Sequence, residues 1–161
     1  MIQQRKTKKG FEHDILDIAN DFYEAYRRCR EGKNPRTDEW GRYVTDVVSV
    51  PELVNGLFAC ELYLKSILPN GSWNKGSNGH NLKSLFLLLP EEKQREMRKA
   101  ISDMSDWQFH TVDESFDIIS NGFQFWRYIH ESEHFGDLGL NGTLRVLPAF
   151  LETFRKFANK R

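Results

Sequence analysis

The sequence predicts an all-α bundle, and three observations carry that prediction. Apolar residues recur at three- and four-residue spacing through most of the chain. No run alternates apolar and polar side chains as a half-buried strand would. Pro, Gly and Asn collect in a few stretches between the periodic segments. An antiparallel up-and-down bundle of about four to six helices with short connections follows.

Residues 1–10, MIQQRKTKKG, are polar and basic and read as a mobile tail ahead of one helical domain over 11–161. The first helix spans 12–30. Ile15, Leu16, Ile18, Ala19, Phe22, Tyr23 and Tyr26 form its apolar stripe. Arg27, Arg28 and Arg30 complement the dipole in its last turn, and Gly32 and Pro35 stop it. Residues 31–50 read as a loop that Trp40 packs down, with a turn of helix near 43–48. Pro51 opens the second helix at the first helical position and the pattern runs to Leu68.

On that second helix Leu53, Leu57, Cys60, Leu64 and Ile67 make one stripe. Glu61 falls at the edge of the stripe, and a carboxylate there requires a cation. Lys65, four residues on, can supply it, and so can Arg127 from a neighbouring helix. PNGSWNKGSNG, residues 69–79, is turn chemistry throughout. Asn81 then caps a short apolar helix over 82–89, and Pro90 ends it. In this context His80 reads as a helix-start residue bonded to backbone. A charged helix follows over 91–105 with Met97, Ala100, Ile101 and Met104 inward.

The densest aromatics lie in FDIISNGFQFWRYIHESEH, residues 116–134, which read as one long amphipathic helix capped by Asp113. Arg127 and His134 fall together at the seam between its apolar and polar faces. FGDLGLNG, residues 135–142, is a second Gly-rich loop. The last helix covers about 143–159, with Pro148 kinking it or starting it.

The chain's 161 residues are one domain's worth, and 12 Phe with 13% aromatic content indicate a packed core. The 23 basic and 23 acidic side chains cancel, so no global field draws the chain to nucleic acid or a membrane. Any RNA contact must come from a local patch. Cys29 and Cys60 are far apart and form no Cys-x-x-Cys, which fits a reducing cytoplasm and neither a disulfide framework nor zinc. The N-terminus has no apolar segment of a secretory signal, and Leu85–Leu89 is too short to span a bilayer. There is no Gly-x-Gly-x-x-Gly, no Walker loop and no His/Cys metal spacing, so no cofactor or metal is expected.

Phe58-Ala59-Cys60-Glu61-Leu62-Tyr63-Leu64-Lys65-Ser66-Ile67-Leu68, a Gly-rich loop, and then Gly79-His80-Asn81-Leu82-Lys83-Ser84-Leu85 together resemble a HEPN domain. That family commonly carries an Ala-x-Glu-x-x-Leu-Lys helix and a Gly-His-x-Leu helix start. Phe125-Trp126-Arg127-Tyr128 continues the likeness, which covers about 12–157 in order of elements.

The resemblance implies a helical bundle that often forms homodimers. Many members are metal-independent ribonucleases of toxin–antitoxin and phage-defence systems, and others bind nucleotides or an antitoxin-like protein. Active members carry Arg, four to six residues, then His, and Arg127 and His134 have six between them. There Arg127 would hold the phosphate oxygens and His134, with His130 as fallback, would move the proton. The residue after the arginine is Tyr128, where active members have Asn, Asp or His. Tyr128 and the zero net charge favour a non-catalytic module that dimerises and binds a protein partner or nucleotide. Its polar cluster would be Glu61, Lys65, His80, Tyr128 and Glu131.

Overall fold

The computed structural model describes residues 8–31, 35–37, 39–40, 43–45, 49–69, 71–74, 79–104, 111–120, 126 and 137–160. The protein is an all-α helical bundle carrying one small two-stranded ribbon. Its α-helices are α1 (Lys8–Glu31), α2 (Ser49–Ile67), α3 (Leu82–Leu87), α4 (Glu91–Met104), α5 (Val112–Ile119) and α6 (Asp137–Ala158). A 3-10 turn covers Ser72–Asn74, and the ribbon pairs β1 (Pro35–Thr37) with β2 (Tyr43–Thr45).

Chain direction in the bundle follows from which side chains meet. Along α1, Asn20, Phe22, Tyr26 and Cys29 face Tyr63, Phe58, Gly56 and Asn55 of α2, in reversed order, so these two helices are antiparallel. Phe116 of α5 packs on Phe150 of α6 while Ile118 lies against Gly142, which makes that pair antiparallel as well.

The α2 stripe is the spine of the core. Leu53, Leu57, Cys60, Leu64 and Ile67 are all buried, as their spacing predicts. A second centre gathers Phe86 of α3, Phe116 of α5, and Phe150 and Phe154 of α6. Phe116 has ring centroids 4.7 Å from Phe86, 4.6 Å from Phe150 and 6.4 Å from Phe154. Arg98 of α4 lays its guanidinium 5.2 Å from the Phe86 ring and pairs with Asp113 at 2.7 Å. One cation thereby ties α4 to α3 and α5, with its stem over apolar surface and its charge on a carboxylate.

At Gly56 three helices touch. A Cβ built there would lie 2.8 Å from Leu147 of α6 and 2.9 Å from the Tyr26 ring of α1. Mid-helix, alanine would ordinarily gain about 1 kcal/mol over glycine. Here the neighbours are buried and must move, so overpacking reverses the sign. Gly56→Val is expected to lose about 1–3 kcal/mol, read by urea denaturation, with Gly56→Ala milder.

A polar strap joins α1 to α6. The Tyr23 hydroxyl donates to Glu152 Oε1 at 2.5 Å, and Arg155 pairs with Glu152 at 3.2 Å. The Arg155 guanidinium also sits 4.5 Å from the Tyr23 ring centroid. Desolvation, and then the bond to the Glu152 carboxylate, push the Tyr23 phenol up to about 12. Because the folded value is raised, Tyr23's contribution to stability is intact below the free phenol's value near 10 and is lost as pH rises through about 12. Burial raises the Tyr26 and Tyr63 phenols as well, so absorbance at 295 nm is expected to show several late-titrating tyrosines, of which the Tyr23 step comes earlier in Glu152→Gln.

The structure departs from the sequence reading at several element ends. Lys8–Gly10, read as tail, belong to α1. Residues 35–37 and 43–45, read as loop and helical turn, pair antiparallel with Arg36 opposite Val44. Three-residue strands are too short for alternation to register, and Pro35 takes the first strand position, where its missing N–H costs least. Helix α2 starts at Ser49, so Pro51 is its third residue; every N–H of that turn lacks an intrahelical acceptor.

The cap of α5 is Thr111, not Asp113. Its hydroxyl accepts from Glu114 N while the Glu114 carboxylate accepts from Thr111 N, a capping box. Helix α6 begins at Asp137, inside the stretch read as Gly-rich loop, and continues through Pro148. Its packing on α5 and α2 overrides the local breakers. On α4, Met97 and Ile101 are buried, but Met104 in the last turn is 42% exposed.

Candidate functional site

Helical periodicity on α2 fixes where Glu61 goes. It follows Cys60 of the core stripe and is turned under the protein surface, only 1% exposed. Lys65, one turn on, reaches back and donates to Glu61 Oε1 at 2.6 Å. The order is the favourable one for a helix, with the acid N-terminal to the base. Lys65 is itself 12% exposed, so the pair is shielded from water and salt.

The third member comes from the other side of the Gly-rich loop. Gly71 is in the left-handed region at φ 73°, a conformation that suits glycine, and the 3-10 turn Ser72–Asn74 follows it. Gly79 passes against the Trp73 carbonyl, where an added Cβ would lie 3.1 Å away. Asn81 Oδ1 accepts from Ser84 N at 2.9 Å and caps α3, while Leu82 N donates to the Ser120 carbonyl at 3.0 Å. Lys83 pairs with Asp117 of α5 at 2.6 Å. Held on both sides, His80 brings Nδ1 to 2.9 Å from the same Glu61 Oε1.

An ionised carboxylate only accepts, so the ring donates through Nδ1–H and the tautomer is set. The ring is otherwise open, with the His80 side chain 55% exposed. The Glu61 carboxylate and the Lys65 ammonium form a buried pair of opposite charge behind the ring. Glu61 Oε2 is buried and makes no hydrogen bond to the described residues. The arrangement is a sealed carboxylate that orients one outward-facing imidazole.

Three of the five sequence-predicted polar-cluster residues, Glu61, Lys65 and His80, therefore share one oxygen atom. Glu61 is buried at the stripe edge as its position predicts, with Lys65 as a cation partner. His80 bonds the Glu61 side chain, not the backbone, because the Asn81 cap and the Leu82 anchor turn its ring toward α2. Arg127, Tyr128, His130, Glu131 and His134 lie outside the described residues, as does the expected Arg127–Glu61 pair. Of the long helix read over 116–134, the structure describes the part that ends α5, together with Ser120 and Trp126, which is helical and buried.

Comparison of the chain with protein-family models, with curated proteins and with solved structures finds no match. Among the described residues, no group of three or more His, Cys, Asp or Glu could hold a metal ion. No helix among them is long and apolar enough to cross a membrane. The Ser120 carbonyl that fixes the start of α3, and Asp117 beside it, are site supports the sequence reading missed. Each is more than 30 residues from the partner it holds, in sequence, and no local pattern reports such a pair.

Proposed function

We propose that the chain is a HEPN-like helical module, non-catalytic, that forms a homodimer and binds a protein partner or a nucleotide or RNA in the cytoplasm. A toxin–antitoxin or phage-defence setting is the context that the resemblance implies. One observation carries the reading. The two segments that resemble the family, Ala59–Lys65 and Gly79–Leu85, lie on either side of a loop and meet at Glu61 Oε1. Structural spacing alone does not require a histidine there, since the Asn81 cap and apolar packing would hold α3 without it. Zero net charge favours recognition through such a local site over a broad basic surface.

The Arg127-x6-His134 spacing favours a second reading, a metal-independent endoribonuclease. In it the RNA 2′-hydroxyl attacks the adjacent phosphate, His134 moves the proton and Arg127 holds the developing charge.

One set of measurements separates the two. Labelled structured RNA is incubated in EDTA with wild type, Arg127→Ala and His134→Ala, each checked for folding by circular dichroism. Light scattering reports the dimer and fluorescence anisotropy reports binding. The module reading expects a dimer that binds without cleaving. Cleavage by wild type that both folded variants lose would replace it with the ribonuclease. A monomer that binds neither nucleotide nor RNA and captures no protein partner would remove both.

A further inference from the structure

We infer that His80 is a nucleophilic acceptor site, taking a phosphoryl group at Nε2 from a small donor such as a phosphoramidate or an acyl phosphate. The inference does not depend on the partner reading above. Glu61 is 1% exposed and accepts the Nδ1–H at 2.9 Å, so the second ring nitrogen carries the lone pair. The His80 side chain is 55% exposed while its anchor is sealed, so the ring is open to solvent in an orientation that the Glu61 bond fixes. Nucleophile plus a second group that orients it is the arrangement by which side chains are activated for covalent transfer. The local charge admits an anionic group. Lys65 Nζ bonds the same Glu61 oxygen, so the carboxylate facing the ring is already neutralised and an incoming phosphoryl group meets no unpaired anion from α2.

The step balances without a co-reactant. The Nε2 lone pair attacks phosphorus, and the bond from phosphorus to the leaving nitrogen or oxygen breaks. That atom departs with the electron pair, as ammonia from phosphoramidate or as a carboxylate from an acyl phosphate. The ring keeps its Nδ1 proton, hydrogen-bonded to Glu61, and the positive charge it acquires is balanced by the negative charge of the transferred group. Phosphorylation would place a dianion at the junction of the Gly-rich loop with α2, a change large enough to alter a docking surface.

The test uses the full chain and potassium phosphoramidate at neutral pH, with peptide mapping by mass spectrometry at a pH that preserves the P–N bond and 31P NMR to assign the nitrogen. His80 is expected to be labelled at Nε2, faster than the chain's other four histidines, and about tenfold faster than in Glu61→Gln. Wild type unfolded in urea serves as a second comparison, which holds even where Glu61→Gln does not fold. Labelling on Nδ1, or at the same rate in folded and unfolded chain, would overturn the inference.

Discussion

Phe116→Ala is expected to destabilise the protein by about 3–5 kcal/mol, the range for removing a large aromatic from a closed core. The ring is fully buried and within 4.7 Å of two other ring centroids, Phe86 of α3 and Phe150 of α6. Its loss removes three kinds of contact at once: the ring pairs, the apolar area, and one face of the Arg98 cation site, 6.0 Å away. The hole cannot collapse easily, because α3, α4, α5 and α6 all border it and α3 and α4 are each tied to α5 elsewhere, by Lys83–Asp117 and Arg98–Asp113. At about 2–4 °C per kcal/mol for a chain of this size, the melting temperature should fall by roughly 10 °C. Phe116→Leu should recover most of that, since it refills the volume. An alanine variant that melts within about 2 °C of wild type would show that this aromatic centre is not the core of the bundle.

Glu61→Ala is expected to cost about 3 kcal/mol, for a different reason. Deleting the carboxylate removes the acceptor of two hydrogen bonds and takes from Lys65, 12% exposed, the anion it pairs with among the described residues. The revealing experiment is the double variant Glu61→Leu with Lys65→Met. Replacing a buried ion pair by apolar groups of similar volume is often neutral or stabilising. The double variant is therefore expected to unfold within about 1 kcal/mol of wild type, or later, while His80 loses its fixed tautomer. A ring-nitrogen NMR spectrum that shows His80 exchanging between tautomers there, and in one tautomer in wild type, would confirm what Glu61 does. If the double variant is stable yet loses the binding measured above, the charged pair serves the site and not the fold. If it is as damaged as Glu61→Ala, the cluster is part of the core.

Most of the fold could be read in the chain because helical spacing is a local property. The α2 stripe, the α3 cap at Asn81, the inward Met97 and Ile101, and the α6 positions Leu147, Leu151 and Phe154 all lie where a 3.6-residue period puts them. Glu61 and Lys65 are legible for the same reason: they are one turn apart on one helix, and the stripe beside them says which side is buried. Element ends were less legible. Thr111 won the α5 cap over Asp113, and α6 absorbed Asp137–Gly142, because reciprocal bonds and neighbouring helices decide between local options of nearly equal energy.

His80 shows what the sequence could not decide. A Gly-His-Asn-Leu helix start states where the residue sits along the chain and nothing about which way its ring turns. That direction depends on the Ser120 carbonyl holding Leu82, on the left-handed Gly71, and on the path of a loop between two helices. The sequence by itself determined an all-helical bundle, its buried faces and the Glu61–Lys65 pair, since each follows from spacing within one helix. Only the tertiary structure decided that His80 shares the Glu61 oxygen, because a bond across 19 residues is set by packing and not by periodicity.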